Sequence, residues 1–116
     1  MARIVIMVTA PPNHSATWQT AVGLTAAAVE RDHEVTLFLF MDGVYGAMRR
    51  RRAASPAPMP AVELASLIDR GVRVCLCATA AELRGLDLGA LIGGVTVGGL
   101  PDLALMVEDA DRLVSL

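Results

Sequence analysis

Aromatic residues supply only 3% of this 116-residue chain, as one Trp, one Tyr and two Phe, so small aliphatic side chains have to fill its interior. Cysteine is as scarce: Cys75 and Cys77 form a single C-x-C. Such a pair excludes a disulfide framework and fits a reducing cytoplasm. No apolar run reaches the length of a membrane-spanning helix, and the amino-terminal MARIVIMVTA lacks the h-region and cleavage site of a signal peptide. A large excess of charge of one sign is missing too. The basic residues are all Arg, and a net charge of −2 offers no general attraction to nucleic acid or to an anionic membrane, so neither is expected as a partner.

Several motifs are also absent. A nucleotide site needs closely spaced glycines between the first strand and helix, and APPNHSAT has none; no G-x-x-x-x-G-K-[ST] occurs either. Ser15, His14 and Asp42 lack the G-x-S-x-G elbow of a serine hydrolase. For zinc, the soft candidates are Cys75, Cys77, His14 and His33, and C-x-C is not a knuckle spacing. No metal and no cofactor are expected.

What the chain does have is aliphatic surface: 54% of its residues are hydrophobic. The length suits one domain over residues 1–116, and the mean hydropathy of +0.53 exceeds what a small soluble monomer ordinarily shows. The excess points to an oligomer, with a tightly packed α/β monomer as the alternative.

Strand and helix patterns alternate along the chain. RIVIMV (3–8) reads as a strand buried on both faces, and Pro11 and Pro12 end it. Asn13 or Ser15 is placed to cap a helix running to about Arg31, with Trp18, Val22, Thr25 and Val29 on its packed face. Asp32 is expected to take the left-handed conformation at the helix end, and EVTLFLF (34–40) follows as a second strand. MDGVYGAM then forms a turn bearing Asp42 and Tyr45, and RRRRAASPAPMP (49–60) reads as a solvated loop. The segment 61–70 is an amphipathic helix that buries either Val62, Ala65 and Ile68 or Leu64 and Leu67, and Gly71 stops it.

Residues 72–77 form a third strand and 78–84 a helix, 94–98 a fourth strand, Pro101 starts another helix, and 111–116 is a fifth strand. Alternation with long crossovers predicts an α/β fold, a three-layer α/β/α sandwich around a mainly parallel sheet of about five strands. Cys77 then lies where a strand gives way to a helix, at the carboxyl edge where such sheets bind ligands. Cys75, two residues earlier on the same face, reads as core. A Cys75–Cys77 disulfide would be poorly shaped in extended backbone. Whether Cys77 is a nucleophile or an inert buried thiol stays open at this point. His14 and Asp42 fall at the same edge, and His33 falls at the opposite one as a structural residue.

IVIMVTAPP, HEVTLFLFMDGVY, GVRVCLCATAAELRGL and GGLPDLALMVEDADRLVSL, in that order and spacing, resemble the DsrE/DsrF-like family, which includes the TusD type of sulfur-relay subunit. In that family the sulfur-accepting Cys lies eight positions before the Gly of an R-G pair. Cys77 and Gly85 hold that spacing, with Arg84 before the Gly. Many relatives continue C-G-T-C; this chain keeps Thr79 and has Ala80 in place of the second Cys. The resemblance implies a sulfurtransferase or sulfur carrier that holds sulfane sulfur as a persulfide on Cys77, its thiolate supported by the amides of the following helix. Sulfur-donor and sulfur-acceptor proteins would be its partners. His14, Asp42, Tyr45 and Thr79 would bind substrate or partner, and the chain would assemble as a homotrimer or hexamer, or with related subunits. The alternative is a non-catalytic structural or regulatory subunit with Cys77 inert.

Overall fold

The structure is a computed structural model that describes residues 1–12, 16–49 and 59–116. His14, the proposed caps Asn13 and Ser15, and residues 50–58 of the arginine-rich segment lie outside the described residues. In chain order the elements are β1 (Arg3–Val8), α1 (Ala16–Glu30), β2 (Glu34–Leu39), a 3₁₀ segment (Met41–Ala47), α2 (Pro60–Asp69), β3 (Arg73–Cys77), α3 (Ala78–Leu83), a 3₁₀ turn (Leu88–Ala90), β4 (Val95–Gly98), α4 (Leu100–Asp109) and β5 (Arg112–Ser115).

The strands form one five-stranded sheet in the order β4-β3-β2-β1-β5, and all pairings between them are parallel. Right-handed crossovers then decide the layers. The connections β1 to β2, β2 to β3 and β3 to β4 step in one direction, so α1, α2 and α3 share a face. The β4 to β5 connection crosses back over the whole sheet, which puts α4 alone on the other face.

The two faces differ in cover. On the three-helix side Ile6, Val8, Leu37, Leu39, Val74 and Leu76 are buried, as continuous apolar strands require. Under α4, Val5, Phe38, Cys75 and Cys77 are buried, while Met7, Thr36 and Phe40 are half-buried. No residue of α4 itself is buried. Leu103 and Met106 lean on the core, and polar ties secure the ends: Gly99 N–H donates to Asp102 Oδ2 at 2.7 Å, and Arg3 Nη1 to Asp109 Oδ2 at 2.8 Å.

Helix faces follow the pattern with one shift. The buried side of α1 is Trp18, Ala21, Thr25 and Ala28, while the expected Val22 and Val29 are half-buried beside it. Small Ala residues let that helix approach the sheet closely, leaving the bulkier valines at the flank. For α2 the Leu64 and Leu67 alternative is realised, and Val62 is exposed. Asp32 takes φ 62°, as expected.

Candidate functional site

The carboxyl edge is built by the ends of β2, β3 and β4. Cα partnering sets Cys77 beside Gly98, and Phe40 follows the last β2 residue on the Cys77 side. Together with the starts of α3 and α4 these ends enclose a cavity of about 430 Å³. Its wall is largely apolar, from Phe40, Met41, Leu83, Leu100 and Pro101, with Thr79 and Arg84 contributing polar groups.

Cys77 lines this cavity, yet it is only 2% exposed. Chain order places it at the end of β3, and Gly99, Leu100 and Pro101 come round from β4 to line the same cavity. Cys77 is also the residue before α3, with φ −72° and ψ 115°, and its side chain makes no capping hydrogen bond. The α3 amides thus do not hold its sulfur in this arrangement. With six residues, α3 is also too short for an appreciable dipole.

Cys75 shares the α4 face and is 3% exposed. Its sulfur lies 3.1 Å from where a Cβ on Gly98 would stand, and Asp102 Oδ2 lies 2.7 Å from the same point, so a side chain there would displace the Asp102 carboxylate. Burial raises the Cys75 pKa; the Thr96 hydroxyl opposes this in part, while the charge of Asp102 and the neighbouring Cys77 add to it. A raised pKa keeps Cys75 a thiol, which is the inert state.

Asp42 and Tyr45 sit on the 3₁₀ segment Met41–Ala47. Two close approaches hold this segment down. A Cβ on Gly43 would stand 2.2 Å from the Val8 carbonyl oxygen, and one on Gly46 would stand 2.1 Å from the Trp18 ring. Met41, at φ 50°, is one of two non-glycine residues with positive φ among those described, and its side chain lines the cavity. Asp42 reaches the site indirectly, accepting from Arg84 Nε at 2.9 Å. Tyr45 is half-buried but does not line the cavity.

Arg84 is the residue that sequence reasoning used only as a spacing marker. It caps the carboxyl end of α3, and its Nη1 donates back to the Ala80 carbonyl at 3.0 Å. The signal available was a cation seven positions after Cys77, two helical turns away and pointing back along the helix. At the opposite edge His33 Nδ1 accepts from Ala2 N–H at 3.0 Å. Among the described residues no group of three His, Cys, Asp or Glu converges as metal ligands, and no helix is long and apolar enough to cross a membrane.

Comparison with known proteins agrees with this architecture. The family model for the DsrE/DsrF-like family matches residues 2–116. Protein YchN of Escherichia coli strain K12 is 29% identical over 117 residues, covering 99% of each chain. Its crystal structure superposes with a TM-score of 0.91 over 100% of both chains. Uncharacterized protein MJ0989 of Methanocaldococcus jannaschii is 26% identical over 113 residues, covering 97% of this chain and 98% of that one. MTH1491 from Methanobacterium thermoautotrophicum, 16% identical with a TM-score of 0.75 over 100% of both chains, shares the fold. With the sheet order, the placement of Cys77 and a match over nearly the whole length in hand, the chain belongs to the DsrE/DsrF-like family.

Proposed function

We propose that this protein is a sulfur carrier or sulfurtransferase that accepts sulfane sulfur on Cys77 and passes it to a partner thiol. The observation that carries the reading is the Cys77 thiol lining a cavity at the carboxyl edge of a parallel sheet, where such folds bind ligands. The Cys77 thiolate attacks the outer sulfur of a donor persulfide; the new S–S bond forms as the donor's S–S bond breaks, and the donor departs as a thiolate. A partner thiolate then attacks the outer sulfur of Cys77-S-SH and restores the Cys77 thiolate. Cys75 takes no part, since it does not line this cavity and its raised pKa holds it as a thiol. A sulfane-sulfur donor and an acceptor protein in a reducing cytoplasm suit this exchange. Exposed Val97, Leu100, Leu105 and Leu113 support an oligomer, either of identical or of related subunits.

The 2% exposure of Cys77 favours a second reading, a structural or regulatory subunit with an inert thiol. Intact-protein mass spectrometry after exposure to a persulfide donor separates the two. The transfer reading expects a reductant-labile gain of one sulfur that Cys77→Ser loses and Cys75→Ser keeps. No gain in the wild type supports the structural reading.

A further inference from the structure

The Cys77 cavity has one charged residue in its wall among those described, Arg84. Its guanidinium is held on two sides, by Asp42 Oδ1 at 2.9 Å and by the Ala80 carbonyl at 3.0 Å. These contacts use a minority of its N–H donors and pin it against α3, so a ligand meets a pre-placed cation. The balance of charge also favours the cavity side. Asp42 is 51% exposed and Arg84 21%, so water screens the carboxylate more than the guanidinium. The surrounding wall of Phe40, Met41, Leu83, Leu100 and Pro101 brings no competing charge. With six residues α3 has no helix-terminal anion site of its own, so Arg84 is the fixed charge in this wall.

We infer that Arg84 determines the specificity of this cavity, and that the donor reaching Cys77 is a small organic persulfide bearing a carboxylate. This rests on the sulfur-transfer reading of Cys77. A volume of about 430 Å³ lies in the range of small-molecule sites, and a guanidinium pairs with a carboxylate through parallel hydrogen bonds. With the carboxylate on Arg84, the donor's sulfur chain is directed along the apolar wall toward Cys77. Attack on the outer sulfur transfers it as Cys77-S-SH and releases the carboxylate-bearing thiolate; the Cys77 sulfur is oxidised as the donor's inner sulfur is reduced. Asp42 acts as a positioning residue, since it orients Arg84 and tempers its charge.

Two thiol reagents of nearly equal size test the cation without requiring sulfur transfer. Cys77 is alkylated with anionic iodoacetate and with neutral iodoacetamide, the label is located by peptide mass, and the rate ratio is divided by that of free β-mercaptoethanol. The normalised ratio is expected to be about three- to tenfold above unity in the wild type, the effect of one partly screened cation. Arg84→Gln should bring it to unity or below, Arg84→Lys should retain most of it, and Asp42→Asn should raise it. A wild-type ratio at unity, or one unchanged by Arg84→Gln, overturns the inference.

The second arm compares sulfur loading from the persulfides of 3-mercaptopropionate and β-mercaptoethanol. Faster loading from the carboxylate donor, lost in Arg84→Gln, supports the inference. Equal loading from both overturns it and leaves sulfur transfer standing. No loading from either, with the alkylation preference intact, overturns the sulfur donor and the transfer reading together while Arg84 keeps its preference for anions.

Discussion

Gly46 lies against the Trp18 indole so closely that a Cβ on it would stand 2.1 Å from the ring. Through this contact α1 holds the segment that carries Met41 and Asp42 to the Cys77 cavity. Gly46→Ala should therefore cost about 1–3 kcal/mol by overpacking, and Trp18→Leu, which alone opens a cavity, should cost less in the Gly46→Ala chain than in the wild type. Gly43→Ala should cost more, since its Cβ would meet the Val8 backbone oxygen, which has no rotamer to escape into. Urea midpoints of these variants, with unchanged slopes, check the order.

Cys75 makes stability depend on alkaline pH. Its pKa is raised in the folded chain, so the native state keeps a proton that the unfolded chain releases. That contribution is whole below the unfolded thiol pKa of about 8.5 and is lost as pH rises through it toward the raised folded value. Wild-type urea midpoints should fall more steeply above this pH than those of Cys75→Ala. Parallel curves would show that the buried thiol is not the cause.

Asp102 ties down the start of α4 by accepting the Gly99 N–H at 2.7 Å. Removing it in Asp102→Ala should cost about 1 kcal/mol, the scale of a lost helix cap. Because α4 buries no residue of its own, hydrogen exchange should accelerate across Leu100–Asp109 before it does in β1 to β3. Uniform acceleration would place the loss in the whole sheet instead.

The exposed leucines give the oligomer reading its own test. Leu105 is 66% exposed, so Leu105→Glu should leave the fold of a single chain intact. Light scattering is expected to find an assembly for the wild type and a lower mass for Leu105→Glu or Leu113→Glu. A wild-type mass equal to one chain would remove the oligomer from the proposal.

Sequence periodicity by itself determined the alternation of strands and helices, because burial on both faces leaves continuous apolar runs and each crossover helix leaves a stripe. It also gave Asp32 a left-handed backbone, found at φ 62°, and put Cys77 at the strand end, since both depend on neighbours a few residues away. The layer arrangement needed more than pattern. Only the strand order β4-β3-β2-β1-β5 sends the last crossover back over the sheet and leaves α4 alone on its face. The tertiary structure likewise decided that Cys77 shares a cavity with Leu100 and Pro101, because these follow a strand that pairs beside it in space rather than along the chain. It also decided that Arg84 serves the cavity. A spacing of seven residues names the side chain, while the carboxylate of Asp42, 42 positions away, fixes where its charge lies.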